Sequence, residues 1–430
     1  MTTTEEIYRI FKNKPVISTD SRKIEENSIF FALKGENFNG NKFAAAALNK
    51  GAGYAIIDEK EYFISNKTIL VDNVLQALKD LANLHRKKLG IPILAITGSN
   101  GKTTTKELVS AVLSQKFKVS STEGNLNNHI GVPLTLLKMN AETEIGVVEM
   151  GANHIGDVAE LCEIAEPDFG IITNIGKAHL EGFGSFEGVV KTKSELYHYL
   201  KSKKGTIFYN YDNPILTNLT AEIQNKISFG KEKAGFTGEL IDSPPFVHVK
   251  ANFKKGVLYL NTNLTGDYNF ENIMAAACIG DYFNVDPLLI QKALKNYCPQ
   301  NNRSQLINKY GLKIIMDAYN ANPTSMQASI NSFISNVSDK CYLILGDMLE
   351  LGAYSEPEHI AILELLKNYP RTKVYTVGKN FMAVAKYFTC QPFLNVELLC
   401  EFLQENPITE GDVLIKGSRG IQLEKVLACF

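Results

Sequence analysis

Several things are missing from this 430-residue chain, and each absence narrows its function. No apolar run reaches the roughly 18–20 residues a membrane-crossing helix needs, so no membrane insertion is expected. The opening stretch "MTTTEEIYRIFKNK" has none of the basic-then-apolar order of a secretory leader. Charge of one sign is absent too. The 45 Lys and Arg offset 46 Asp and Glu to a net charge of −1, which argues against a general nucleic-acid or membrane-surface binder and leaves room only for a local basic patch. The seven cysteines (Cys162, Cys278, Cys298, Cys341, Cys390, Cys400 and Cys429) are scattered, odd in number and free of C-x-x-C pairs. Reduced thiols in a cytoplasmic protein are therefore expected. There are no tandem repeats and no low-complexity segments.

What is present describes a globular α/β protein. Hydrophobic residues make up 45% and charged residues 21%, and the length suits about three domains. Up to about residue 85, short β-type runs ("SIFFAL", "GYAIID") alternate with helical stretches such as 42–50, a small α/β module. The segment "VLQALKDLANLHRKKLG" reads as a helix with Val74, Leu75, Leu78, Leu81 and Leu84 on one stripe. A second block, 86–300, holds the continuous apolar runs "IPILAIT", "IGVVEM" and "DFGIIT", the pattern of strands buried on both faces of a mostly parallel sheet. Its later part, "GVLYLNTNLTG", predicts antiparallel structure. The third block, 301–430, repeats strand then helix in a Rossmann-like order through "KIIMDAY", "CYLILGD", "KVYTVG" and "DVLIKGS". Ligands of open α/β sheets sit at the carboxyl ends of the strands, so this block offers a second working surface that could close over the first.

The chemistry starts at "AITGSNGKTTTKE", residues 95–107. A standard phosphate-binding loop, G-x-x-x-x-G-K-[ST], would place its first glycine at position 96, which is Ile96. Here the loop begins at Gly98. The mechanism survives the shift. Backbone N–H groups of Gly98, Ser99, Asn100, Gly101 and Lys102, with Thr103 and Thr104 opening the helix, form a donor-rich cradle for the phosphates of ATP. Lys102 would reach the terminal phosphates, and the Thr103 hydroxyl would meet Mg²⁺. A glycine turn that merely caps a helix is the plainer alternative, and the buried strand before it and amphipathic helix after it argue against that.

The short form Gly-x-x-Gly-Lys-Thr-Thr resembles the loop of the Mur ligase superfamily, ATP-dependent amide-forming enzymes of peptidoglycan synthesis grouped with folylpolyglutamate synthases. "TDSRKIEENSIFFALKGENFNG", "VVEMGANHIGD", "TNIGKAHLEGFGS", "DAYNANPTSM" and "LIKGSRG" resemble the branch that adds D-alanyl-D-alanine to UDP-N-acetylmuramoyl-tripeptide, along essentially the whole chain. The resemblance implies three domains: a UDP-binding domain, an ATPase domain and a C-terminal ligase domain.

It also implies roles. A lone strand-end carboxylate or histidine is usually structural, yet Glu149 and His179 together beside the loop are implied to hold a second Mg²⁺. Lys193 in "VVKTKSELYHYL" reads from sequence alone as a solvated helix lysine, with Lys191 as competitor. By resemblance Lys193, followed by Glu195, is a carbamylated lysine. Asn272 is implied at the adenine, although Tyr268 stands where the family commonly has His. Arg303 and Asp317 are implied at the nucleotide, Arg303 with Asn302 and Gln305 replacing its usual neighbours. Ser21 and Arg22 are implied at the uridine diphosphate, since a guanidinium forks onto phosphate oxygens. Asn127 and Asn128 are implied at the substrate sugar, and Asn320 and Asn322 at the dipeptide. "DNP" at 212–214 is read as a turn.

The expected reaction is activation of the tripeptide carboxylate as an acyl phosphate, followed by amide formation, in a cytoplasmic monomer. Another ligase of the superfamily adding a single amino acid, or a nucleotide binder without turnover, remains open at this point.

Overall fold

The computed structural model describes residues 2–300, 302–337 and 340–430. Among these, the strands form sheets of four, nine and six strands and a small two-stranded ribbon. The three large sheets belong to three α/β domains in chain order.

In the first domain Ile17–Ser18, Ile29–Phe31, Tyr54–Ile57 and Thr68–Leu70 pair in parallel. The helix Val74–Leu89 then carries the chain into the middle domain, opened by the Asn73 side chain and closed by Gly90 in the left-handed conformation. Its stripe is only partly as expected: Val74, Leu78 and Leu81 are buried, whereas Leu75 and Leu84 are half-buried. It does more than connect. His85 Nε2 meets the Met139 carbonyl at 2.8 Å and Arg86 Nε donates to the Ala165 carbonyl at 3.0 Å, both deep in the middle domain.

The loop strand Ile93–Thr97 sits inside the nine-stranded sheet with all five residues buried, because helices cover both faces. Its parallel neighbours are Ile145–Glu149 and Phe169–Ile172. Register places Ile96 opposite Glu149 and Thr97 opposite Ile172, so the phosphate loop, Glu149 and Thr173 emerge at one height from one sheet edge. Helices Lys102–Leu113 and Asn269–Tyr282 cover one face through Leu108, Val109, Val112, Ile273 and Ala276. Helices Asp157–Ala165 and Phe186–Lys203 cover the other. Strands Phe236–Asp242, His248–Phe253 and Gly256–Asn261 complete the sheet as the expected antiparallel portion.

The third sheet runs Gln305–Lys309, Leu312–Asp317, Gly411–Lys416, Cys341–Gly346, Lys373–Val377, Gln391–Phe393, parallel except for its first pair. The expectation of seven reduced thiols fails at its edge, where Cys400 and Cys429 form a disulfide across 29 residues. Packing of the C-terminal turn against the helix Val396–Glu405 brings these two together, and cysteine spacing carries no trace of such packing. The other five thiols are free.

Candidate functional site

A cavity of about 820 Å³ opens where the carboxyl ends of the middle and third sheets face each other. Its floor is the phosphate loop. Gly98 has φ of +143° and passes so close to Thr173 that a Cβ would lie 2.0 Å from its hydroxyl. Gly101 has φ of +77°, and a Cβ there would meet the Asn272 carboxamide at 2.5 Å. Only glycine avoids both the strain and the clash. Neighbouring side chains pin the loop: Thr173 Oγ1 donates to the Asn100 carbonyl at 2.6 Å, and the Asn100 N–H donates to Asn174 Oδ1 at 3.0 Å. No side chain caps the helix Lys102–Leu113, which leaves its N-terminal donors facing the cavity for an anion. Lys102 is folded back, Nζ donating to the carbonyls of Gly98 (2.8 Å) and Ser99 (3.3 Å). Burial lowers its pKa below the ordinary lysine value; Glu149 opposes this and Arg303 adds to it.

Beside Lys102, the Thr103 hydroxyl donates to Glu149 Oε1 at 3.2 Å and Asn127 Nδ2 donates to the same oxygen at 2.8 Å. Glu149 is 1% exposed and its Oε2 has no hydrogen-bond partner. An orphaned buried carboxylate oxygen next to a threonine hydroxyl fits a hard divalent cation such as Mg²⁺. Among the described residues no three His, Cys, Asp or Glu side chains converge. Thr103 and Glu149 would thus supply only part of such an ion's coordination shell.

Lys193 and Lys191 are separated decisively by burial. Lys191 is exposed, whereas Lys193 is 1% exposed with Nζ unpartnered and 5.4 Å from the centre of the Phe183 ring. Burial drives its pKa well below the lysine value and nearby Lys102 pushes the same way, against Asp157 and Glu195. Both effects favour the unprotonated, nucleophilic form of the amine more than in an exposed lysine. Glu195 has a separate task. Its carboxylate accepts from the N–H groups of Gly156 and Ala159, both at 2.9 Å, capping the helix Asp157–Ala165.

The third domain supplies the cavity roof. Arg303 lies 3.6 Å from the centre of the Tyr319 ring, and Arg419 lies 5.4 Å from it. Asp317 Oδ2 accepts from Lys416 Nζ at 2.5 Å across adjacent parallel strands, and both residues line the cavity. Lys416 and Tyr319 are additions to the residues singled out from sequence. The strand-end position of the "KGSRG" lysine was the available signal. Asn320 lines the cavity, its Oδ1 accepting from the Ala321 N–H. Asn322 is otherwise engaged: Oδ1 caps the helix Pro323–Ser335 and Nδ2 donates to Asn100 Oδ1 at 2.7 Å. His179 lines the cavity with Nδ1 bonded to the Glu350 carboxylate.

Other candidates stand further back. Both ends of the Asn272 carboxamide are in use, Oδ1 accepting from Thr105 and Nδ2 donating to Asn269, although the residue still borders the cavity. Asn128 lines the cavity while its Oδ1 accepts from Ile130 and Gly131. Ser21 and Arg22 do not line it. Arg22 is 86% exposed and forks onto Asp20, each contact 2.9 Å. The "DNP" segment is a turn, as read, with Asn213 capping the short helix Pro214–Leu219, and Asn213 also borders the cavity.

Known proteins resemble this chain along nearly its whole length. The Mur ligase family catalytic domain matches residues 15–86, the Mur ligase middle domain 96–280, and the Mur ligase glutamate ligase domain 302–418. The UDP-N-acetylmuramoyl-tripeptide–D-alanyl-D-alanine ligase of Bacillus subtilis (strain 168) is 36% identical, covering 96% of this chain and 92% of that protein. The crystal structure of MurF from Acinetobacter baumannii superposes with a TM-score of 0.86 at 30% identity, covering 96% of this chain and 92% of that one. MurF from Thermotoga maritima in complex with ADP gives 0.84 at 30% identity, covering 96% of each. The chain belongs to the Mur ligase family.

Proposed function

We infer that this chain is an ATP-dependent amide ligase joining D-alanyl-D-alanine to the terminal carboxylate of UDP-N-acetylmuramoyl-tripeptide, a step in peptidoglycan precursor synthesis. The observation that carries this reading is the convergence in one cavity of Lys102, Thr103 and Glu149 with third-domain strand ends. The name of the Bacillus subtilis relative supports the substrates, and the ADP in the Thermotoga maritima structure supports the nucleotide.

A carboxylate is a poor electrophile until one oxygen is phosphorylated to give a mixed anhydride with phosphate as leaving group. The tripeptide carboxylate attacks the γ-phosphorus of ATP, ADP leaves, and an acyl phosphate forms. The free amine of D-alanyl-D-alanine then attacks the acyl carbon, the tetrahedral adduct expels phosphate, and the amide N–H loses its extra proton to solvent or a basic side chain. Residues 98–104, with Gly98, Ser99, Asn100, Gly101, Lys102, Thr103 and Thr104, cradle the ATP phosphates. Lys102 leaves its loop carbonyls for the γ-phosphate and stabilises the charge spread over it during transfer. Asn272, Arg303 and Asp317 border the adenosine side.

Thr103 would hold one Mg²⁺, and Glu149 with His179 a second; bound there, the ions would neutralise phosphate charge. The neutral amine of Lys193 adds to CO₂, losing a proton and leaving a carbamate anion that orients the same region. Ser21 and Arg22 take the uridine diphosphate, Arg22 exchanging Asp20 for phosphate. Asn127 and Asn128 face the sugar, and Asn320 and Asn322 the dipeptide, whose zwitterionic character suits neutral amides. Docking of the third domain over the loop excludes the water that would hydrolyse the acyl phosphate. The enzyme works as a cytoplasmic monomer with domain limits near residues 85 and 300.

The test is phosphate release from ATP and Mg²⁺ with UDP-N-acetylmuramoyl-tripeptide, with and without D-alanyl-D-alanine, following the nucleotide product by mass. Release that needs the dipeptide, with a product heavier by one dipeptide less water, is expected. No reaction with either the lysine or the diaminopimelate form of the tripeptide would overturn the reading.

A further inference from the structure

We propose that Glu350, on the third domain, is the positioning residue that sets the tautomer and orientation of His179 on the middle domain. His179 Nδ1 is bonded to the Glu350 carboxylate, 171 residues away in the chain. Both residues adopt the left-handed backbone conformation, His179 at φ +51° and Glu350 at φ +61°. Non-glycine residues hold that conformation when surrounding structure imposes it. A second bond locks the pair, the Glu181 N–H donating to the Glu350 carbonyl at 3.2 Å.

The segment carrying Glu350 is braced from behind. Asp347 accepts from the N–H groups of Asn380 and Phe381, each at 2.9 Å. The buried His359 accepts from the Met348 N–H at 3.1 Å, and Ser418 Oγ accepts from the Leu349 N–H at 3.0 Å. On the other side, His179 stacks edge-on against Phe183, whose ring also faces the Lys193 amine.

A carboxylate facing Nδ1 keeps the proton on that nitrogen and leaves the Nε2 lone pair for the cavity that His179 lines. The pair is partly solvated, with Glu350 half exposed, so its effect on stability is small. The middle domain alone therefore holds an imidazole of undefined tautomer, and docking of the third domain completes it. This rests on the reading of His179 as an active-site group.

The test uses full-length protein with ¹⁵N-labelled imidazoles, above the ordinary histidine pKa and without added metal, with His179→Gln assigning the signal. The wild type is expected to show protonated Nδ1 and lone-pair Nε2, and Glu350→Ala to move the proton towards Nε2. In turnover, Glu350→Ala is expected to lower kcat about tenfold or more at near-constant KM for ATP. Glu350→Gln, whose carbonyl still accepts the Nδ1 proton, recovers most of that loss. Unchanged nitrogen signals in Glu350→Ala overturn the proposal whatever the activity does. Full activity of His179→Gln would instead sink the reading of His179, and the nitrogen signals would still decide the part played by Glu350.

Discussion

Lys193 is a buried amine with no hydrogen-bond partner, and that arrangement works against stability. Its pKa is lowered in the folded chain, so between that lowered value and about 10.4 the unfolded chain binds a proton that the folded chain does not. In this window stability rises with pH, and the penalty fades near pH ~10.4. Lys193→Met in CO₂-free buffer is therefore expected to abolish ligation yet raise stability at neutral pH, on the order of 1–3 kcal/mol. Urea denaturation across pH checks this, and a loss of stability at neutral pH would show that the amine is satisfied after all. Gly101→Ala forces a side chain into the Asn272 carboxamide at a positive φ, so nucleotide binding should fall at least tenfold in calorimetry. The loop glycines were legible in the sequence because they form a local pattern, whereas Lys193 read there as a solvated helix lysine and was singled out only by resemblance. The choice of Lys193 over Lys191 became physical only with burial, and the His179–Glu350 bond had no local signal at all.

The helix Phe186–Lys203 sends two residues of one short motif to different tasks. Lys193 turns into the core, and Glu195, two positions on and so on another face, reaches the N-terminus of Asp157–Ala165. Removing that carboxylate in Glu195→Ala should cost about 1–2 kcal/mol, read as a lower melting temperature, with Lys193 still buried. Among the elements, the doubly covered strands such as Ile93–Thr97 and Cys341–Gly346 were readable because burial on both faces makes them continuously apolar. Edge strands such as Gln305–Lys309 and Gln391–Phe393 were not, since half-exposure breaks the run. The Asp317–Lys416 ion pair joins two readable strands 99 residues apart. Its register is a property of the sheet, which neither segment encodes alone.

Between domains, single side chains connect the two working surfaces. Asn322 caps its own helix and reaches Asn100 in the phosphate loop; Lys177 donates its N–H to Thr324 Oγ1 at 3.0 Å and pairs its ammonium with Glu358. Asn322→Ser keeps a good helix cap but is too short to reach Asn100. The expected outcome is an unchanged melting temperature with a several-fold rise in KM for ATP. A matching fall in stability would mean that the cap, rather than the bridge, is what matters.

The helix Lys102–Leu113 finds its covering partner, Asn269–Tyr282, only much later in the chain: Thr105 and Asn272, which hydrogen-bond to one another, are 167 residues apart. On a ribosome adding about 5–20 residues per second, Leu108, Val109 and Val112 emerge roughly ten to thirty seconds before Asn269–Tyr282 can pack beside them and complete their cover. The catalytic loop is thus made early and finished late. The nascent chain carries an open apolar stripe through much of the synthesis of its middle domain, and a chaperone is best placed to act in that interval.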